Sequence, residues 1–135
     1  MPALRDAPTQ KPKVMLVDDN PDILSFLAGH MSLSCIEPVK ASSAAECLEM
    51  MQQEGIQATV INGTIALEKG GLLISLIKEH YSGIKILVIV EGESDRSRLL
   101  RLGCEDFALL PISAQTVVEK VMMLMAVENM PKQEG

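Results

Sequence analysis

Five short apolar runs alternate with five stretches of helical periodicity, and this alternation restricts the fold more than any single motif. Lys13–Asp18, Cys35–Lys40, Gln57–Asn62, Ile84–Val90 and Asp106–Leu110 read as strands. A helix between two strands makes a crossover, and a right-handed crossover returns the chain parallel to its start. The expected class is therefore α/β, with a five-stranded parallel sheet covered on both faces. Pro38 puts the second run at a sheet edge, because proline cannot donate to a ladder. Ile84–Val90 is the most apolar run and is expected inside the sheet.

The helices carry their own punctuation. Asn20-Pro21-Asp22 supplies a cap, a first-turn proline and an acid at the positive helix end. Ile23, Leu24, Leu27 and Met31 then share one face. Ser43 and Glu46 form a capping box for a helix to about Gln53, with Gly55 beyond it. Asn62-Gly63 reads as a turn and opens a loop that runs to Gly70-Gly71, before a helix from about Leu72 to His80. Ser94-Asp95 opens a fourth helix, which runs to Leu102 and is stopped by Gly103. Ser113 caps a fifth, to about Val127, and Pro111 closes the strand before it. Residues 1–11 and 130–135 are polar and are expected to be flexible tails, leaving one domain over 12–129.

The chain has no Trp, one Tyr (Tyr81) and two Phe (Phe26, Phe107), so Leu, Ile, Val and nine Met must fill the core. A net charge of −6 disfavours nucleic acid, which needs a basic footprint. No apolar stretch reaches the length of a membrane span, and the first residues lack an apolar signal core. A soluble cytoplasmic protein is expected. Cys35, Cys47 and Cys104 match no metal spacing, and an odd count argues against a disulfide framework. They are expected to be reduced and in or near the core.

In open α/β sheets, ligands bind beyond the carboxyl ends of the strands, where strand order reverses. In a flavodoxin-like (βα)5 doubly wound sheet of order 2-1-3-4-5, that crevice lies between strands one and three. Asp18 and Asp19 end the first strand and Asn62 ends the third. Adjacent carboxylates at a strand tip repel unless they are paired or hold a cation. Mg²⁺ suits one or two carboxylates and keeps its own waters. The plainer alternative is that both aspartates face solvent and cap the first helix.

The run Val14-Met-Leu-Val-Asp18-Asp19-Asn-Pro-Asp22 resembles the opening of the receiver domains of two-component response regulators, and the resemblance covers about residues 12–128. It implies an acidic pair for Mg²⁺ at Asp18 and Asp19. It also implies a phosphoacceptor aspartate at the third strand's end, a Ser or Thr at the fourth's, and a lysine before a proline after the fifth. Those three positions fall on Asn62, on Val90 (Val88 by a gapless count back from Gly103), and on Leu110. The aromatic switch position of such domains falls on Phe107.

An amide oxygen is a poor nucleophile and would not form a stable acyl phosphate. Leucine cannot neutralise phosphoryl charge, and valine cannot donate a hydrogen bond to it. Phosphoryl transfer depends on positioning and electrostatics, and both stabilising partners are apolar here. The expectation is an atypical pseudo-receiver that is not an enzyme, has no cofactor, and keeps at most a weak remnant Mg²⁺ site at Asp18 and Asp19.

What remains is surface. From Val117 to Val127 only Glu119 and Lys120 are polar. Val117, Val121, Leu124 and Met125 supply the buried stripe, which leaves Val118, Met122 and Met123 for an interface. Arg96, Arg98 and Arg101 give the helix before it a basic rim. In receivers the face of helix four, strand five and helix five mediates dimerisation and output contacts. The expected partner face is therefore Arg98, Arg101, Val118, Met122 and Met123, taking a signalling protein or a second copy, with Phe107 beneath. With no phosphoryl group to attract it, Phe107 is expected in one conformation, or in one that a partner selects. Two rival readings are a phosphoryl-accepting receiver with a non-standard acceptor, and a small-ligand binder with a deep pocket near Asp19 and Asn62.

Overall fold

The computed structural model describes residues 11–110 and 113–129, the last three by backbone alone. The expected tails, apart from Lys11, lie outside the described residues, as does Pro111. The strands are β1 (Lys13–Val17), β2 (Glu37–Ala41), β3 (Ile56–Asn62), β4 (Lys85–Val90) and β5 (Asp106–Leu109). All neighbours pair in parallel, in the order β2-β1-β3-β4-β5 expected from the crossovers. β2 with its proline is an edge strand, and β4 lies between β3 and β5.

Alternation along the strands divides the core in two. Val14, Leu16, Val60 and Leu87 face α1 (Pro21–Leu33) and a long C-terminal helix (Ala114–Asn129). Met15, Val17, Ile61, Ile86 and Val88 face the opposite layer. That layer holds α2 (Ala44–Met50), α3 (Gly63–Leu67), α4 (Leu72–His80) and α5 (Arg96–Leu102), so the C-terminal helix is α6. Thr59, wholly buried on the second face, has a hydroxyl with no hydrogen-bond partner among the described residues.

Asn20 caps α1 through its side chain, with Pro21 in the first turn, as its motif predicts. Ile23, however, is exposed, while Leu24, Leu27 and Met31 are buried. Ser43 Oγ accepts from the Glu46 N–H at 3.1 Å, but the Glu46 carboxylate reaches back to Ser42 rather than to Ser43. Two hydrogen bonds from Ser42 hold that carboxyl below the usual range. α2 stops at Met50, short of the expected Gln53. A 3₁₀ turn over Glu93–Asp95 precedes α5, and Asp95 makes no side-chain cap there. The segment expected as a loop after Asn62 instead forms α3 and a 3₁₀ turn, Glu68–Gly70. Gly71 follows at φ +88°, where a Cβ would collide with the Leu102 side chain.

Cys47 and Cys104 are buried as expected, but Cys35 is exposed. Its φ of +63°, in the turn from α1 to β2, accompanies a side chain outside the core. Burial pushes the Cys47 thiol up to about 12. Burial, then the neighbouring Glu105 and Asp106 carboxylates, push Cys104 up to about 11. The folded state therefore disfavours both thiolates. Their contribution to stability is complete below the ordinary thiol value and is lost as pH rises from about 9 toward 12 for Cys47 and toward 11 for Cys104, by up to ~1.4 kcal/mol per pH unit for each thiol. Urea midpoints at pH 8 and pH 10 should fall less steeply for Cys47→Ala than for the parent; equal slopes would contradict this.

Candidate functional site

Parallel strands deliver their tips to one end of the sheet, so Asp18 and Asn62 meet there across β1 and β3. The Asp18 N–H donates to the Ala41 carbonyl at 3.1 Å, tying β1 to the end of β2. Asp18 as a residue is only 6% exposed. One carboxylate oxygen accepts from the Asn20 N–H at 2.9 Å, and the other from Asn62 Nδ2 at 3.3 Å. Asn62 Oδ1 faces the other way and caps α3, accepting from the N–H of Thr64 at 2.8 Å and of Ile65 at 3.4 Å. The surroundings fix the amide's orientation: flipped, it would aim N–H at N–H and oxygen at carboxylate. Asp19 is exposed.

Gly63 lets α3 start hard against β4, since a Cβ there would lie 2.8 Å from the Ile89 carbonyl oxygen. Beside it is a cleft of about 140 Å³. Asn62, Val90 and Leu110 all line it, so the three positions to which the resemblance maps the acceptor, hydroxyl and lysine converge on one place. The register settles which valine lies there: Val90 pairs with Leu109 at the strand tips, while Val88 pairs with Phe107 deeper in the core. The Leu110 N–H donates to the Val90 carbonyl at 2.8 Å, which anchors its backbone.

Glu91 and Asp95 also line the cleft, and among the described residues no basic side chain does. The sequence reading missed both, although Glu91 directly follows the fourth strand's tip. The cleft thus opposes an anion electrostatically. It is also smaller than the ~300–1,000 Å³ typical of small-molecule sites. The larger hollows, about 790 and 560 Å³, open at the amino-terminal end of the sheet, against Lys11 and Gly55.

The residues present do not fit the Mg²⁺ that the resemblance implies. Both Asp18 oxygens already accept hydrogen bonds, and Asn62 turns donors rather than an oxygen toward Asp18.

The face of α5, β5 and α6 is better furnished. Phe107 is half-buried, and the Arg96 guanidinium stacks over its ring at 5.0 Å from the centroid. Arg96 also lies 3.8 Å from the Glu93 carboxylate. Lys120 pairs with Asp106 at 3.2 Å. Arg98 and Arg101 are exposed, yet it is Arg96 that covers the aromatic ring. Val118 does not belong to the exposed face. It is 5% exposed, because the buried arc of α6 is wide enough to turn Val117, Val118, Val121 and Met125 together onto the sheet. Met122 and Met123 are exposed as expected, Met123 at 69%, as are Leu100 and Leu109.

The chain as a whole is similar to known proteins. The family model described as the response regulator receiver domain matches residues 14–122. The "Heme response regulator HssR" of Staphylococcus aureus (strain Newman) is 21% identical over 108 residues, which are 79% of this chain and 48% of that protein. The chain thus spans about half the length of the curated relatives it matches. Among solved structures, a CheY-like receiver domain protein from Methanospirillum hungatei superposes with a TM-score of 0.80 at 17% identity, covering 88% of this chain and 97% of that one. The receiver domain of an HD domain-containing protein from Pseudomonas fluorescens gives 0.79 at 15% identity, covering 93% and 94%. No helix among the described residues is long and apolar enough to cross a membrane. With the 2-1-3-4-5 sheet, the Asp18 strand tip and a family match over most of its length, the chain belongs to the response regulator receiver domain family.

Proposed function

We propose that this receiver domain works in two-component signalling as a phosphorylation-independent protein-interaction module in the cytoplasm, and not as an enzyme. One observation carries the reading. Asn62, Val90 and Leu110, an amide and two aliphatic side chains, line a single cleft, and Glu91 and Asp95 add carboxylates to it. A phosphoryl group would find an amide in place of the acceptor carboxylate at position 62, no cation among the described residues to neutralise it, and two anions beside it.

The face of α5, β5 and α6 carries the interaction in this reading, for a protein partner or a second copy of the domain. Met123, Leu100 and Leu109 offer adaptable apolar contact. The basic side chains of α5 flank them, and Arg96 stacks over Phe107.

Beryllofluoride, a stable mimic of a phosphoryl group on aspartate, tests the reading. Amide NMR spectra should be the same with and without beryllofluoride and Mg²⁺. Shifts concentrated at Asn62, Leu110 and Phe107 would refute it.

A further inference from the structure

We infer that the Asn62 side chain replaces a divalent cation, acting as a neutral strut that holds the crevice in shape without metal. The inference rests on reading the crevice as inactive toward phosphate, but the two fail in different experiments.

A charged residue as buried as Asp18 needs partners for its carboxylate. Two N–H groups provide them: the Asn20 backbone, from its own turn, and Asn62 Nδ2, from across the sheet. Only an amide can make the second bond and still cap α3, because it carries a donor and an acceptor on opposite arms. A carboxylate at position 62 could cap α3 but would set a second anion against Asp18, where a cation would be required. In this chain the amide hydrogens fill that need.

The strut spans three elements. Asp18 directly follows β1, Asn62 ends β3, and Oδ1 of Asn62 caps the start of α3. Gly63 lets that helix pack against β4 without a gap. A cation entering the crevice would have to break the Nδ2 bond to Asp18. To recruit Oδ1 it would also have to uncap α3. The crevice should therefore keep one shape whatever the divalent-ion concentration.

Melting temperatures of the whole chain test this, for the parent, Asn62→Asp and Asn62→Ala, each in EDTA and in millimolar Mg²⁺. The parent should melt at the same temperature in both. Asn62→Asp should melt about 3–10 °C lower in EDTA and regain most of that in Mg²⁺. Asn62→Ala, which loses cap and strut, should fall by a similar amount in EDTA and regain nothing. A parent that Mg²⁺ stabilises by several degrees would overturn the inference, even if Asn62→Asp failed to fold. So would an Asn62→Asp variant as stable in EDTA as the parent. A parent indifferent to Mg²⁺ but labelled by a phosphodonor would instead sink the proposed function alone.

Discussion

The combined variant Asn62→Asp, Val90→Thr, Leu110→Lys is expected to take up one phosphoryl group from acetyl phosphate in Mg²⁺, at least ~100-fold faster than Asn62→Asp alone. The structure should accept all three changes. Asparagine to aspartate and valine to threonine conserve shape. Leu110 is exposed and its backbone is anchored on Val90, so a lysine there can extend into the cleft without moving β5. Each change supplies one missing element: a nucleophile, a donor and a cation. Preorganised donors and cations at a transferring phosphoryl group each contribute about 10²–10³ in rate, so the nucleophile alone is not sufficient. Glu91 and Asp95 oppose the gain, and adding Glu91→Ala should raise labelling further. Time-resolved intact-mass spectrometry measures this. A folded combined variant that labels no faster than Asn62→Asp would mean that Val90 and Leu110 are not what silences the cleft.

Leu99→Ala should be the most damaging single change on the proposed partner face, at about 2–5 kcal/mol. Leu99 is 0% exposed and is the residue that α5 buries. A helix of seven residues cannot hold itself together and depends chiefly on that anchor, with half-buried Leu102 as a second contact. Loss of the Leu99 side chain should free α5 and lift Arg96 from Phe107. Amide exchange over residues 96–102 should then rise well above that of β4. Leu100→Ala, at a position 52% exposed, should change the urea midpoint by less than the equivalent of ~0.5 kcal/mol. If both variants are equally stable, α5 is held by something other than Leu99.

Much of this was legible in the residues because it depends on local rules. Alternating strand and helix signals lead to parallel crossovers, and a proline in the second run leads to an edge. Caps at Asn20 and Ser43 lie where their motifs predict. The misses needed tertiary information. Asn62-Gly63 carries a turn signal, and only the neighbouring Asp18 and the approach of β4 show that it starts a helix. Val118 counted as spare because a narrow stripe was assumed, whereas the sheet accepts a wider arc of α6. Arg96 was indistinguishable from Arg98 and Arg101 until the rotation of α5 placed it over Phe107. The choice between Val88 and Val90 waited on the β4–β5 register. The residue types at positions 62, 90 and 110 are plain in the sequence, whereas Glu91 and Asp95 join them only once the fold brings them to the same cleft.

The decisive measurement is the intact mass of the unaltered chain after prolonged incubation with acetyl phosphate and Mg²⁺. The account predicts no phosphorylated species at any time point. A gain of one phosphoryl group that maps to the peptide bearing Asn62 would contradict it.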